Sequence, residues 1–262
     1  MNEVVIENVS FSYGRQTVLK SISFEAEAGE FVCLLGPSGC GKSTLLRLLA
    51  GLDAPTRGRI TVGGNTVTGP GLDRSVVFQD YSLFPWMTTG ENIILALEQA
   101  NANRKKAEYR EIAREHLSRV GLLNSFDKLP SKLSGGMRQR AAIARAFAID
   151  APVLLMDEPF GALDAVTRTR LQDLLLRLWR NQTGGKTVFF VTHDIEEAML
   201  LADKIVVLGL TPGPAQGIFT VDIPRPRSRR DIYSSEDAQT LRNTLVSLLY
   251  ESSLSESEDL LV

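Results

Sequence analysis

Cysteine and histidine are almost missing from this chain. Its 262 residues include two cysteines, Cys33 and Cys40, and two histidines, His116 and His193. So few thiols and imidazoles exclude a zinc site and a disulfide framework. No apolar run approaches the roughly 18 residues needed to cross a bilayer. The opening Met1-Asn2-Glu3 lacks the basic-then-apolar order of a secretion signal. The expectation is a chain made and kept in the cytosol, with any membrane role supplied through a partner. Charge of either sign is not in excess, since the net value is −2, so no bulk field draws the protein to nucleic acid. Internal repeats are absent as well.

What is present is a 44% hydrophobic chain, enough for one large α/β domain or a domain with a smaller lobe. Residues 3–28 alternate apolar and polar side chains and divide near Gly14, which predicts a hairpin of half-buried strands. Phe31 to Leu35 is continuously apolar, the pattern of a strand buried on both faces, with Cys33 inside it. Residues 43–50 read as a helix stopped by Gly51. Gly58 to Val67 reads as a short hairpin turning at Gly63-Gly64-Asn65, and Val76 to Phe78 as a strand. Residues 91–121 predict a helical stretch that forms a lobe of its own. Val153–Met156 and Val188–Val191 are two more buried strands. Leu171, Leu174, Leu175 and Leu178 mark one face of a helix between them. Lys204 to Leu208 is expected to be the last strand of the core. This divides the chain into a domain over 1–215, with a helical part about 80–150, and a tail over 216–262. In the tail, Leu241, Leu245, Leu248 and Leu249 predict one amphipathic helix, followed by a frayed acidic end.

Three short signals carry chemistry. Gly36-Pro37-Ser38-Gly39-Cys40-Gly41-Lys42-Ser43 fits G-x-x-x-x-G-K-[ST], between a buried strand and a helix that continues through Thr44. Glycines there let backbone N–H groups turn toward a phosphate, and the helix N-terminus adds its dipole. Lys42 supplies a charge near the β and γ phosphates, and Ser43 offers a hydroxyl to Mg²⁺. Cys40 stands among inward N–H groups beside Lys42, conditions that lower a thiol's pKa and predict alkylation that ATP prevents. Asp157 follows four apolar residues, so it reaches the carboxyl edge of a sheet, where it can hold Mg²⁺. Glu158, one residue later, can deprotonate a water that attacks the γ-phosphate. Ser134 is a natural N-cap, and Gly135 and Gly136 bare the N–H groups of a second helix tip, a second anion site. The alternative for each is bland: a glycine turn, a strand ending in solvated acids, an ordinary capped helix.

From Leu133 through Ser134, Gly135, Gly136, Met137, Arg138 and Gln139 to Arg140, the residues resemble the signature of the ATP-binding-cassette (ABC) ATPases. The likeness covers about residues 3 to 210. It implies an α/β P-loop NTPase core with an N-terminal antiparallel β subdomain and an inserted helical subdomain. It implies that Leu133, Ser134, Gly135, Gly136 and Gln139 face ATP held by a second cassette, identical or merely related. Tyr13 then matches the aromatic that stacks on adenine. Gln79 matches the glutamine that touches Mg²⁺ and the attacking water, and Asp164 the loop that crosses the dimer interface. His193 matches the switch residue at the γ-phosphate, whereas His116 reads as a surface or packing residue.

The same resemblance gives Leu83, Phe84 and Trp86 a role, the groove that receives a helix of a membrane-embedded permease. Packing on the helical lobe is the other reading of these three. The stretch from Leu155 to Ala165 and the later Ile223-Pro224-Arg225-Pro226-Arg227 resemble the nitrate, sulfonate, taurine and bicarbonate importers. Leu208 to Pro214 departs from their usual polar loop. The implied protein is a peripheral ATPase on the cytoplasmic face of the inner membrane, with ATP and Mg²⁺ as its ligands. It would work with a permease and, indirectly, with a periplasmic or extracytoplasmic solute-binding protein, and with no nucleic acid. The rival is a soluble ABC ATPase acting on nucleic acid or ribosomes, yet no heptad run separates Lys42 from Ser134. The arginines of the tail read either as solvated or acid-paired side chains or as a contact for anionic lipid headgroups.

Overall fold

The computed structural model describes residues 3–180, 185–210 and 212–259. They form two compact units, one of residues 3–71 with 185–259 and the other of residues 72–180.

The first unit opens with β1 (Val4–Tyr13) and β2 (Gln16–Ala26), antiparallel from Val4↔Ala26 to Tyr13↔Gln16. The expected hairpin is therefore there, with Gly14 in its turn. Alternation buries Val4, Ile6, Val9 and Phe11, and it slips by one residue around Asn8, whose φ is 48°. β3 (Phe31–Leu35) is buried at every residue, as a continuous apolar run requires. α1 (Lys42–Ala50) follows, and Gly51 closes it by donating to Arg47 and Leu48. β4 (Arg57–Val62) and β5 (Asn65–Thr66) complete a four-stranded antiparallel sheet in the order β2-β1-β4-β5.

The second unit begins with β6 (Arg74–Val77), which starts two residues earlier than the apolar run suggests. The helical stretch expected over 91–121 is two helices, α2 (Thr89–Ala100) and α3 (Lys106–Arg119). Residues 101–105 break it. There Tyr109 Oη donates to the Asn101 carbonyl and accepts from Arg104 N at 3.2 Å. α2 starts on a capping box: Thr88 Oγ1 accepts from Glu91 N and Glu91 Oε2 accepts from Thr88 N at 2.7 Å. α4 (Gly135–Ala148), β7 (Val153–Asp157) and α5 (Ala165–Arg180) complete the unit, with β6 parallel to β7 from Arg74↔Val153 to Val77↔Met156. On α5 the buried face runs through Leu171, Leu174, Leu175, Leu176 and Trp179, so Leu178 lies at its margin.

The chain then returns to the first unit. β8 (Thr187–Thr192) and β9 (Lys204–Val207) flank β3 in parallel, and α6 (Ile195–Leu201) joins them. β9 is not the last strand. β10 (Gly217–Thr220) pairs antiparallel with it, Gly217↔Val207, beyond the proline-rich turn that hides it in the sequence. Two helices follow where one was expected, α7 (Asp231–Ser234) and α8 (Glu236–Asp259). Only Leu245 of the four expected leucines is fully buried; Leu241, Leu248 and Leu249 are partly so. α8 runs on through Asp259, into the end read as frayed, and residues 260–262 lie outside the described part.

Candidate active site

In the first unit, β3 delivers the chain into the phosphate loop. Gly41 has φ 97°, a left-handed conformation, and a Cβ there would come within 2.7 Å of Leu19 Cδ2. Gly36 is needed for another reason: a Cβ would stand 2.5 Å from the Leu208 carbonyl oxygen. α1 begins at Lys42 with no side-chain cap, so its first N–H groups face the loop's concavity. Lys42 is buried and its Nζ donates to the carbonyls of Gly36 at 2.8 Å and Pro37 at 2.7 Å. Ser38, Gly39 and Ser43 are exposed, Pro37 is half-buried and Thr44 is buried. Tyr13 is 50% exposed, its ring set edge-on to Phe11 with centroids 4.8 Å apart. A stacking platform must offer such a face.

Cys40 does not match its reading as a reactive thiol. It is buried, and its Sγ lies 2.7 Å from where a Gly36 Cβ would stand, so the sulfur packs against Gly36 and is screened from solvent. What it offers a ligand is its backbone. Cys33 is fully buried in β3, and desolvation pushes its thiol well above the ordinary range.

His193 is exposed at the end of β8. The backbone on either side of it is tied down. Asp194 N donates to Thr192 Oγ1 at 3.0 Å, and Thr192 Oγ1 donates to the buried Glu197 Oε2 at 2.6 Å. Asp194 Oδ1 caps α6 by accepting from Glu196 N and Glu197 N.

In the second unit, β7 ends on Asp157, as its apolar run predicts. Asp157 and Gln79 line one open hollow of ≈ 410 Å³ together with Phe78, Asp80 and Ser82. Glu158 has φ 41°, a strained state for a side chain with a Cβ, and its Oε2 lies 3.6 Å from the Cβ position of Gly161. The signature tip opens α4. Ser134 Oγ accepts from Met137 N at 3.3 Å, which leaves its own O–H free to donate elsewhere. Ser134 is exposed, Gly135 and Gly136 are half-buried, and Leu133 is buried as the hydrophobic anchor of the turn. A Cβ on Gly136 would meet Thr167 Cγ2 at 2.7 Å. The tip lines a hollow of ≈ 770 Å³ whose charged rim includes Arg119, Arg140 and Arg177. Asp164 caps α5 by accepting from Thr167 N at 2.9 Å, and that bond holds its carboxyl below the usual range.

Gln139 departs from its expected role. It is wholly buried, and neither end of its amide has a hydrogen-bond partner. It cannot face a nucleotide on another molecule.

Leu83 is half-buried, Phe84 is exposed and Trp86 is 73% exposed, with the two rings 5.5 Å apart. Trp86 in particular is not packed away on the helical lobe. The sequence reading missed what shapes this loop. Buried Asn92 accepts from Phe84 N at 2.7 Å and donates to the carbonyls of Phe84, Met87 and Thr88. Tyr81 and Ser82 both have positive φ, and Arg145 donates to the carbonyls of both. Burial pulls the Arg145 guanidinium down from its ordinary value, against the opposing pull of Asp80. Arg138 lies 5.5 Å over the Tyr81 ring. An asparagine and an arginine inside helices give no periodic signal, so only their polar character on buried faces hints at these roles.

Among the described residues no helix is long and apolar enough to cross a membrane. The ABC transporter family profile matches residues 19–161. The bicarbonate transport ATP-binding protein CmpD of Synechocystis sp. is 46% identical over 94% of this chain and 89% of its own length. The nitrate import ATP-binding protein NrtC of Synechococcus elongatus is 48% identical over 91% of this chain, which spans 36% of that longer protein. Among solved structures, the ATP-binding cassette MJ0796 in a dimeric post-hydrolysis state bound to ADP and Pi aligns with a TM-score of 0.72 and 33% identity, over 83% of this chain and 98% of that one. Phosphate loop, signature tip and sheet-edge carboxylates in their family order, together with these likenesses, make the conclusion direct: this chain belongs to the ABC transporter family and is one of its ATP-binding, ATP-hydrolysing cassettes.

Proposed function

We propose that the chain is the ATPase subunit of a membrane importer and that it acts as one of two cassettes enclosing ATP between them. The phosphate loop of one cassette holds the β and γ phosphates through backbone N–H groups and Lys42, whose ammonium exchanges a loop carbonyl for a phosphate oxygen. Tyr13 stacks on the adenine. The Ser134–Gly136 tip of the other cassette donates to the γ-phosphate from the opposite side. Glu158 takes the proton of the attacking water as the new P–O bond forms and the bond to the β–γ bridging oxygen breaks, and ADP carries away the charge. Gln79 orients that water, and His193 donates to the γ-phosphate. Asp164 lies on the loop that crosses between cassettes.

Ser43, Gln79 and Asp157 offer hydroxyl, amide and carboxylate oxygens, the donor set of a hard cation. Gln79 and Asp157 share one hollow, which supports the same reading. No group of three or more His, Cys, Asp or Glu among the described residues forms a metal cage of its own. Mg²⁺ bound through few protein oxygens, with phosphate and water completing its shell, fits these residues. When bound it would neutralise charge between the β and γ phosphates.

Phe84 and Trp86 are read as the anchor for a cytoplasmic helix of the permease, because exposed paired aromatics on a braced loop are typical interface anchors. Membrane attachment would come through that partner. The roles of CmpD and NrtC in bicarbonate transport and nitrate import favour a small oxyanion of that kind over sulfonate or taurine. An extracytoplasmic binding protein would deliver it.

The observation that carries this reading is a second anion-accepting helix tip, at Ser134, on a chain that already has a phosphate loop. The test is Glu158→Gln. With MgATP this variant should elute from gel filtration as a stable dimer and hydrolyse ATP at least about 100-fold more slowly. A monomer at saturating ATP, or near-parental turnover, refutes it.

A further inference from the structure

The proline-arginine segment of the tail holds helix α6, the helix that leaves His193. Arg227 is buried, and its guanidinium donates from Nε to the Ile223 carbonyl at 2.7 Å and from Nη2 to that of Val221 at 2.8 Å. Its Nη1 donates to the carbonyls of Met199, at 3.2 Å, and Ala202. Met199 lies in the last turn of α6, and Ala202 is its C-cap. Arg225 Nη2 donates at 2.6 Å to the carbonyl of Leu201, the last residue of that helix. Two cations thus satisfy orphan carbonyls at the negative end of the α6 dipole. Arg225 Nε also bonds Asp203 Oδ1 at 2.7 Å, and Asp203 Oδ2 accepts from Phe31 N, where β3 begins its run to the phosphate loop.

A second grip closes on the other end of α6. Glu196 stands three residues after His193. The Tyr233 phenol bonds its carboxylate, which holds that phenol above its ordinary range. Arg242 Nη2 approaches the same carboxylate at 3.9 Å. Tyr233 belongs to α7 and Arg242 to α8, and the buried Ala238 and Leu245 anchor α8.

We propose that the tail from Val221 onward is a brace that fixes α6 and so sets where His193 stands, with Arg225, Arg227, Tyr233 and Arg242 as positioning residues for ATP hydrolysis. The inference rests on His193 acting at the γ-phosphate. α6 is seven residues long, too short to hold its form or direction unaided. Its C-terminal end is held by Arg225 and Arg227, and its first turn by Tyr233 and Arg242. The single residue between β8 and the Asp194 cap is His193, so any tilt of α6 is passed to that side chain. This bears on two of the four tail arginines, since Arg229 and Arg230 remain exposed. Arg225 and Arg227 are engaged with carbonyls and Asp203, which turns them away from a lipid surface.

The experiment uses the full chain. Tyr233→Phe with Arg242→Ala loosens the outer grip at two partly exposed positions, and Arg227→Lys keeps the charge while losing the fork. Each is made in the parent and in His193→Ala, and ATPase rate and nucleotide affinity are measured. The expected result is a kcat lower by about five- to tenfold in the parent, with affinity within about twofold, and no further loss in His193→Ala. An equal loss in both backgrounds, or an unchanged kcat in the Tyr233→Phe, Arg242→Ala double variant, overturns the brace while leaving His193 in place. A parental rate in His193→Ala overturns the role of His193 and the brace with it. Should Arg227→Lys not fold, the double variant decides.

Discussion

The two helix tips read as anion sites, one in each compact unit, are built in opposite ways. Both α1 and α4 begin on glycines, and neither has an acid in its first turn. Every other α-helix among the described residues has a carboxylate at its N-terminus. Glu91 serves α2, Glu108 α3, Asp164 α5, Asp194 α6, Asp231 α7 and Glu236 α8. A helix supplied with its own carboxylate needs no other anion. The pair left bare are the pair read as phosphate sites. They differ in who supplies the wrapping. The α1 tip is enclosed by its own chain, with Gly41 and Lys42 buried and the loop curled over them. The α4 tip is capped by a hydroxyl and exposed at Ser134. On the proposed reading, the first holds a ligand by itself and the second completes a site that another molecule brings.

The contrast predicts that the two tips fail differently. Lys42→Ala removes a charged donor from the enclosed tip. It should weaken ATP binding itself by about 10- to 100-fold, the worth of one charge-assisted hydrogen bond. Titration of the isolated chain with a fluorescent ATP analogue measures this directly. An unchanged affinity would mean that the ammonium stays on the Gly36 and Pro37 carbonyls when nucleotide is bound.

Much of this was legible before the structure because it is written in local pattern. The phosphate loop, the Asp157 strand end and the Ser134 cap each depend on residues within a few positions of one another, and each stands where its pattern requires. What was hidden depends on contacts distant in sequence. Arg225 and Arg227 looked like part of a solvated or lipid-facing run, since nothing near them announces the α6 carbonyls they bind. β10 was masked by the prolines before it and by its half-exposed alternation. Gln139 shows the reverse fault: a motif position implied ligand contact, and helical geometry turned it inward. Cys40 likewise sits in the loop read as the phosphate site, yet its own side chain is buried.

Ser134→Ala tests the open tip. It removes the hydroxyl that caps Met137 N, which should lower stability by about 1 kcal/mol. Binding of ATP to a single chain should be untouched. Hydrolysis and nucleotide-driven dimerisation should fall by about tenfold, because the missing donor belongs to the neighbour's site. Loss of monomer affinity in this variant would erase the distinction between the tips.

The smallest effect belongs to a helix that carries its own acid. Glu91 bonds Thr88 N at 2.7 Å, and that backbone bond, with the Thr88 hydroxyl second, holds its carboxyl below the ordinary value. A carboxyl depressed in the folded state stabilises above its unfolded pKa, about 4.3, and that contribution fades as pH falls through the lower folded value. The group is solvent-exposed, so screening keeps its worth to a few tenths of a kcal/mol. Glu91→Gln should therefore lower denaturant stability slightly at pH 7, lose that difference near pH 3, and leave ATPase activity unchanged. A helix tip already neutralised by its own side chain has no vacancy for a phosphate, and a measurable loss of ATP turnover in this variant would show that carboxylate capping does not separate structural tips from ligand-binding ones.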